Sequence, residues 1–449
     1  MDTLHPLQVS LFDVFGGADR VALDLHHLYL SADIPATLFV SNQRQHYPGV
    51  ELLPHEQYRS AWARMIRKQD RDDPPPVSRW RASVAEPLRT ARAWLGYADY
   101  DWPGSRRILE VAARTPQPVV HLHAPTVRFD LRLLPDLSQR FPTVITLHDM
   151  MAFTGWCLHA NDCEKWRAHC GSCPQLTGEA RVSHVTPRDK TRANLEQKRR
   201  IYARSSLYLA APSQWLADKA ADSILAPAIR DLRVIPNGVD TNLFAPVSAP
   251  EKAHLRAALN LPPDAIIIAL TAVGKKHPFK DSAGATAAIE HLADSMPEQT
   301  FVLLLIGEMD ASTPKSPNLN VVSTGFLEHH EAVAHYLQAT DIYLHCAFAD
   351  TFPLSPIEAQ LCGLPVIATD VGGIPETLID NVTGFLVTPR DDEATAARLQ
   401  QLVAESERRH SMGAVGRKFA AEHLSVEVMA QRYLAYYEEA ADACKKGRN

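Results

Sequence analysis

The stretch Ala349-Asp-Thr-Phe-Pro-Leu-Ser-Pro-Ile-Glu-Ala-Gln-Leu-Cys-Gly363 is the part of the chain that decides its fold class. It follows an apolar run at 342–346 and precedes another at 365–368, so it joins two predicted strands. Ser355 favours a helix N-cap, and Gly363 is a typical helix end. In such a strand, loop, helix and strand sequence, the start of the helix directs its backbone N–H groups towards an anion such as a diphosphate.

Two acidic residues, Asp350 and Glu358, flank this loop. One interpretation is that both carboxylates contact a ligand whose anionic part lies in the loop. The other is that Glu358 completes a capping box with Ser355, in which the glutamate accepts a hydrogen bond from the serine N–H. The residues alone leave both roles open for Glu358.

The wider pattern resembles the signature of family 4 of the retaining glycosyltransferases. That family has two acidic residues separated by seven others, an Ala-x-x-x-Gly-x-Pro-Val run and a Gly-Gly-x-x-Glu turn. The matching residues are Asp350, Glu358, Ala359, Gly363, Pro365, Val366, Gly372, Gly373 and Glu376. The resemblance implies the GT-B architecture, an α/β fold of two Rossmann-like doubly wound domains that face a central cleft. The chain departs from the family at Asp350, where the family has glutamate.

Apolar segments with strand and helix character alternate along the whole chain, which predicts parallel sheets covered by helices. The predicted strands are 8–12, 36–40, 118–122, 143–147, 207–211, 232–235, 266–272, 301–306, 320–323, 342–346, 365–368 and 384–387. A turn-rich run at Pro236–Pro246 marks a domain boundary. We predict an acceptor-side N-terminal domain over 1–240 and a nucleotide-sugar-binding domain over 241–425. The resemblance implies that a C-terminal helix in 426–449 packs back on the N-terminal domain.

The resemblance also implies a donor site made of glycines, lysines and the loop before the predicted helix. Gly16 and Gly17 match a Gly-Gly-x-x-Arg pattern after the first strand, and Lys280 matches a lysine that neutralises the donor diphosphate. Lys275 stands where the family has arginine, and a lysine cannot make the bidentate contact of a guanidinium. The loop supplies the remaining predicted donor contacts: Phe352, Pro353, Leu354, Ser355 and Glu358. The alternative interpretation, without the resemblance, is that the two glycines form an ordinary strand-to-helix turn and that the lysines lie in a solvated surface loop.

Two lysines and a helix end are sufficient to stabilise a departing nucleoside diphosphate. The chain shows no Asp-x-Asp motif framed for a catalytic divalent ion. We therefore predict that catalysis needs no cofactor.

Polar residues at two strand ends are the predicted reaction-centre and acceptor groups. Ligands of open α/β sheets bind outside the carboxyl ends of the strands. His123 ends one strand, and the resemblance implies that it contacts the donor sugar and acts in catalysis with Asp350. The alternative for His123 is a histidine with its hydrogen bonds satisfied at a strand end. His148 and Asp149 end the next strand and are predicted to line the acceptor pocket.

Four of the seven cysteines cluster with a metal-like spacing: Cys157, Cys163, Cys170 and Cys173. In a reducing compartment, four such thiolates can hold a structural zinc ion. The five residues between the first pair are more than most zinc knuckles have, so free or reversibly paired thiols are the alternative. His159 and His169 are competing ligands. The pattern also resembles a branch of the family that carries this cluster in its N-terminal domain.

Composition limits the partners and the location. The chain has 449 residues and a net charge of −6, which fits two large domains and disfavours nucleic acid as a partner. The longest apolar runs are strand-sized, too short to span a membrane. The N-terminal residues lack the charged and apolar regions of a signal peptide. We therefore expect a cytoplasmic protein.

Arginines and tryptophans alternate between residues 59 and 107 in an insertion-like segment: Arg64, Arg67, Arg71, Arg79, Arg81, Arg89 and Arg92, with Trp62, Trp80, Trp94 and Trp102. Arginine and tryptophan on helices are typical of surfaces that lie against anionic lipid. This interpretation places the protein at the inner face of the membrane as a peripheral protein. The alternative is a variable insertion with a solvated basic face.

The functional hypothesis is a hexosyltransferase-type retaining enzyme. It moves a sugar from a nucleoside-diphosphate sugar to a glycan or lipid-linked acceptor in cell-envelope or exopolysaccharide biosynthesis. One alternative is a GT-B nucleotide-sugar epimerase, which shares the donor site and needs no acceptor. The other is a non-catalytic protein that binds a nucleotide sugar or glycan.

Overall fold

The computed structural model describes residues 4–14, 16–67, 75–176, 188–271, 278–308, 314–327 and 329–446, with backbone alone over 75–79. The chain divides into two compact units. The N-terminal unit comprises residues 1–235 and 430–449, and the C-terminal unit comprises 236–429. The divisions predicted from the sequence lie after residue 240 and after residue 425.

Within the described residues, the N-terminal unit contains seven parallel strands in the order β3-β2-β1-β4-β5-β6-β7. The strands are β1 (His5–Phe12), β2 (Thr37–Asn42), β3 (Val50–Leu52), β4 (Pro118–His123), β5 (Thr143–Thr146), β6 (Leu207–Ala211) and β7 (Ile229–Val234). The helices are α1 (Gly17–Ser31), α2 (Ala61–Arg67), α3 (Pro75–Ala85), α4 (Pro87–Trp94), α5 (Arg106–Ala112), α6 (Leu134–Arg140), α7 (Thr191–Tyr202) and α8 (Gln214–Ala221).

The C-terminal unit contains, over its described residues, six parallel strands in the order β10-β9-β8-β11-β12-β13. They are β8 (Ile266–Thr271), β9 (Phe301–Ile306), β10 (Leu319–Ser323), β11 (Ile342–His345), β12 (Val366–Thr369) and β13 (Gly384–Val387). The helices are α9 (Ala249–Ala258), α10 (Ser282–Ser295), α11 (His330–Gln338), α12 (Ser355–Leu361), α13 (Asp392–Ala404) and α14 (Ser406–His423). A last helix, α15 (Val426–Lys446), begins in this unit and continues into the N-terminal unit.

Both sheets have the doubly wound strand order, and the predicted fold class is confirmed. Helices cover both faces of a parallel sheet, so its strands are buried on both sides and consist of continuous apolar runs. β9, with the sequence Phe-Val-Leu-Leu-Leu-Ile, is buried at every residue. In each unit the strand order reverses beside the first strand, between β1 and β4 and between β8 and β11. Such switch points are where open α/β sheets bind ligands.

The tyrosines of α15 anchor this helix in the N-terminal unit. Tyr433, Tyr436 and Tyr437 are fully buried. The Tyr436 hydroxyl lies 3.0 Å from the carbonyl oxygens of Leu209 and Asp231. A buried tyrosine hydroxyl needs such a partner, so these contacts fix the helix against the sheet.

Membrane-spanning helices were sought across the part of the chain that the structure describes. None of its helices combines the length and the apolar character needed to cross a bilayer.

Candidate functional site

Lys280 lies beside the carboxyl end of β11, at the switch point of the C-terminal unit. Two backbone hydrogen bonds hold its segment there: Phe348 N–H donates to Phe279 O at 2.8 Å, and Asp281 N–H donates to Cys346 O at 3.0 Å. Lys280 itself forms an antiparallel bridge with Ala347. The predicted diphosphate-binding lysine is thus positioned by backbone pairing to the strand that leads into the predicted loop.

The Lys280 ammonium contacts Asp350 and His345, a histidine that was not among the predicted site residues. Its Nζ lies 2.9 Å from Asp350 Oδ2 and 3.0 Å from His345 Nε2. Because an ammonium can only donate, His345 Nε2 accepts this bond, and the imidazole proton lies on Nδ1, 3.5 Å from Ser355 Oγ. Burial, together with the Lys280 charge, lowers the pKa of His345 to about 3. His345 is therefore a neutral acceptor that orients the lysine.

The Gly-Gly turn after β12 fixes the backbone of Asp350. Gly373 N–H donates to Asp350 O at 3.0 Å. Gly372 has φ +63°, and a Cβ on it would lie 2.1 Å from the same oxygen. The loop that carries Asp350 and the Gly-Gly turn, the two halves of the sequence signature, are therefore in direct contact. Because a side chain at Gly372 would collide with this loop, the turn needs glycine.

The alternative of a capping box between Ser355 and Glu358 is wrong, and so is the prediction of Ser355 as the N-cap. Ser355 is the first residue of α12, the N-cap is Leu354, and no side chain caps this helix end. Leu354 already has helical angles, so the helical turn starts one residue earlier than a serine cap requires. The Ser355 hydroxyl points instead to His345. Glu358 is 9% exposed and lies at the start of α12 without the capping role.

Other predicted donor residues belong to the loop between β11 and α12. The Phe352 side chain is 3% exposed and packs in the core of the unit, which leaves its backbone as the part able to meet a ligand. Asn237 Nδ2 donates to Phe352 O at 3.3 Å and holds this loop from the Pro-Asn-Gly segment. Pro353 and Leu354 continue the loop into α12. Lys275 lies outside the described residues.

In the N-terminal unit, the predicted histidines form a buried chain of contacts. His123 is 3% exposed, with Nδ1 3.1 Å from His148 Nε2 and Nε2 3.2 Å from Gln8 Oε1. The rings of His121 and His123 lie 4.0 Å apart, as alternation along one strand face predicts. Burial is the largest cause that lowers the pKa of His123 well below its ordinary value, and it lowers that of His148 to about 4. These imidazoles are neutral at pH 7.

The strand end that carries His148 and Asp149 is supported by a buried lysine, Lys198, which sequence patterns did not reveal. Its Nζ donates to Thr154 O at 2.9 Å and also to Met151 O. Burial lowers the pKa of Lys198 to about 8, opposed by the Asp149 charge. Burial raises the pKa of Asp149 to about 6. Lys198 therefore fixes the loop after β5.

Gly16 and Gly17 lie at the start of α1, which follows β1 at the switch point of the N-terminal unit. Gly16 is the N-cap with an extended backbone, and both glycines are exposed. The Asp19 carboxylate fills the first turn, where it accepts hydrogen bonds from Ser10 Oγ at 2.7 Å and Phe12 N–H at 3.0 Å. A carboxylate in this place makes the turn less favourable for a second anion. A donor contact at these glycines stays a prediction.

The four clustered cysteines line one small pocket beside Trp166. None of them is in a disulfide. Burial raises the pKa of the Cys157 thiol to about 12, and the three neighbouring thiols add to the effect. Across the described ranges, no group of three or more His, Cys, Asp or Glu side chains is placed to hold a metal ion. Zinc binding by this cluster stays a prediction.

Comparison with known proteins gives the same family for the C-terminal unit. Residues 273–419 match the family model of the glycosyl transferases group 1. A D-inositol 3-phosphate glycosyltransferase of Segniliparus rotundus is 32% identical over 217 residues, which are 46% of this chain and 46% of that protein. The chain spans about half the length of the curated relatives it matches.

Solved structures show the fold. The Anabaena protein HepE, in complex with UDP and glucose, superposes with a TM-score of 0.65 at 17% identity, over 97% of this chain and 100% of that one. Sucrose-phosphate synthase of Thermosynechococcus elongatus gives a TM-score of 0.64 at 20% identity, over 98% and 100%. Residues 273–419, which contain Lys280, Asp350 and Glu358, therefore form a group 1 glycosyltransferase domain within a GT-B fold, as the resemblance in the sequence implied.

Proposed function

We propose that this protein is a retaining glycosyltransferase that moves a hexose from a nucleoside-diphosphate sugar to a glycan or lipid-linked acceptor of the cell envelope or an exopolysaccharide. The observation that carries the proposal is the Lys280 ammonium at the switch point of a group 1 glycosyltransferase domain. The glycosyltransferase names of the relatives and the UDP complex of HepE support a nucleotide-sugar donor.

Lys280 has a direct chemical role in this proposal. Cleavage of the bond between the sugar and the diphosphate leaves negative charge on the leaving oxygen. A positioned ammonium stabilises that charge more strongly in a partly buried site than in water. His345 and Asp350 hold the ammonium before the donor arrives, so little reorganisation is needed when charge develops. Glu358 is the proposed acceptor of hydrogen bonds from the ribose hydroxyls.

The proposed activity is tested by a donor screen followed by a transfer assay. We expect one class among UDP-, GDP-, ADP- and dTDP-sugars to raise Tm. Incubation of that donor with glycan and lipid-linked acceptors should then give a product whose anomeric configuration, read by NMR, equals that of the donor. An isomerised donor without transfer would favour the epimerase, and tight binding without turnover would favour the non-catalytic protein.

The same assay tests metal independence. We expect transfer to persist after exhaustive EDTA treatment, because Lys280 replaces a divalent cation at the diphosphate. Magnesium-dependent rescue of lost activity would contradict this. Rescue by zinc alone, with recovery of Tm, would instead indicate that the cysteine cluster binds a structural zinc ion.

We also propose that the helices of the Arg/Trp-rich segment contact an anionic bilayer. Large apolar side chains of this segment are exposed: Trp62 53%, Met65 62%, Trp80 65%, Leu88 81% and Trp94 64%. α4 buries none of its residues. The basic character is smaller than the sequence suggested, because Arg67 and Arg89 bind Glu86, and Trp102 packs against Arg89. Arg64 and Arg92 are exposed.

Replacement of Trp80 and Trp94 by alanine together should abolish co-sedimentation with phosphatidylglycerol vesicles. Tryptophan supplies much of the affinity of interfacial helices for a bilayer. The variant keeps every arginine, so its charge is unchanged. Since both side chains are exposed, Tm should stay unchanged. Phe326→Ala, which removes an exposed aromatic residue of the C-terminal unit, is the matched control and should sediment like the parent. Parental sedimentation of the double variant would exclude this surface as the membrane contact.

A further inference from the structure

The N-terminal unit contains a cavity of about 380 Å³. Among the described residues, none of the predicted donor-binding residues, the buried histidines or the clustered cysteines lines it. It lies under α4, which contributes Leu88, Arg89 and Arg92 from one helical face. The opposite wall is the segment that follows α4, with Tyr97, Asp99 and Asp101. Its volume falls within the roughly 300–1,000 Å³ typical of small-molecule sites.

The wall opposite α4 is held rigidly by buried polar contacts. Ala98 N–H donates to Asn194 Oδ1 at 2.9 Å, and Asn194 Nδ2 donates to Gly96 O at 3.0 Å. Asn194 is 1% exposed. Arg132 Nη2 donates to Tyr100 O at 3.0 Å from the floor of the cavity. A cavity whose walls are fixed in this way binds a ligand without the cost of ordering a loop.

Arg92 lines this cavity, and Lys190 lies beside the lining residue Tyr97; neither has a carboxylate partner among the described residues. Arg89 is paired with Asp99 at 2.6 Å, and Arg132 is paired with Asp130 at 2.7 Å. In contrast, Arg92 and Lys190 lie 4.9 Å and 5.2 Å from the centre of the Tyr97 ring. Within the described ranges, neither of these two has a carboxylate oxygen within 4.0 Å.

The remaining groups suit a polyol. The Asp101 side chain is 53% exposed and offers carboxylate oxygens that accept hydrogen bonds from hydroxyl groups. Leu88 and the Tyr97 ring add an apolar wall of the kind that packs against the C–H face of a sugar ring. Arg92 and the neighbouring Lys190, the exposed Asp101 carboxylate, which Arg59 approaches to 4.0 Å, and the apolar wall together match a sugar that carries an acidic group.

We propose that this cavity binds an acidic saccharide, with its phosphate or carboxylate at Arg92 and Lys190 and its hydroxyl groups at Asp101. The inference goes beyond the proposed function, because the lining of the cavity does not include His148 and Asp149, the predicted acceptor residues. Binding itself requires no donor and is measured alone.

Isothermal titration with glucose 6-phosphate, glucuronate and glucose tests the proposal. We expect one or both acids to bind at least tenfold more tightly than glucose, and the tighter acid identifies the acidic group. Combined Arg92→Gln and Lys190→Gln changes should weaken acid binding tenfold or more. Arg64→Gln, on the exposed surface of α2, is the matched control and should bind like the parent, and all variants should keep the parental Tm.

Three results would overturn the inference: glucose binding as tightly as the acids, parental acid affinity in the double variant, or inorganic phosphate binding as tightly as glucose 6-phosphate. The last would show an anion site without saccharide recognition. Transfer from a nucleotide sugar without any acid binding would remove this inference alone. Acid binding without transfer from any nucleotide sugar would leave the cavity assignment standing and contradict the proposed function.

Discussion

Replacement of Lys280 by alanine should lower kcat/KM for the nucleotide sugar about 10- to 150-fold. The variant loses a charge-assisted contact to the diphosphate, worth about 1.5–3 kcal/mol. Its Tm should fall only modestly and to a similar extent as that of the control variant below, because both changes leave a largely buried carboxylate without its lysine partner. Steady-state kinetics and thermal denaturation of the same preparation measure both quantities.

Lys252→Ala is the matched control for this prediction. Lys252 Nζ lies 2.8 Å from Asp341 Oδ1, so it forms a lysine–aspartate pair of similar length in the same unit. Asp341 precedes β11, at the end of the strand opposite to His345. The control should lower Tm and leave kcat/KM unchanged. If both variants had parental kinetics, Lys280 would be a structural ion-pair residue and the proposed donor site would lose its central charge.

The sequence predicted the strands of both sheets because parallel strands are buried on both faces and leave continuous apolar runs. β3 (Val50–Leu52) was missed. It is a three-residue edge strand with two exposed residues, so it has no apolar run to detect. His123 lies at the carboxyl end of β4, as its position in the sequence predicted, and Lys280, which the resemblance selected, lies beside the carboxyl end of β11.

Contacts between distant residues were beyond the sequence. His345 satisfies the same strand-end rule that selected His123, but its importance depends on Lys280, which is 65 positions away. Lys198 contacts the loop after β5 across 44 positions, and helical spacing treats it as an ordinary helix residue. The prediction of Ser355 as the N-cap failed for a similar reason, since the Ser355 hydroxyl has a tertiary neighbour, His345, that a local rule does not consider.

Replacement of Gly372 by alanine should cause the largest loss of both stability and activity. The residue has φ +63°, which costs a residue with a Cβ about 1–2 kcal/mol. In addition, the new Cβ would lie 2.1 Å from Asp350 O, so the turn or the Asp350 backbone must shift, at a cost of about 1–3 kcal/mol. The shift would move the carboxylate that holds Lys280, so kcat/KM should fall together with Tm.

Gly325→Ala separates the two causes. Gly325 lies in the same unit with φ +68°, and a Cβ on it would meet no heavy atom within 4 Å. This variant therefore has the backbone cost without the contact with Asp350, and each kcal/mol corresponds to roughly 2–4 °C in Tm for a domain of this size. We expect Gly372→Ala to melt several degrees below Gly325→Ala and to lose activity, while Gly325→Ala keeps the parental kcat/KM. Equal Tm and equal kcat/KM in the two variants would show that the glycine turn tolerates a side chain, and that close packing against Asp350 does not position the donor site.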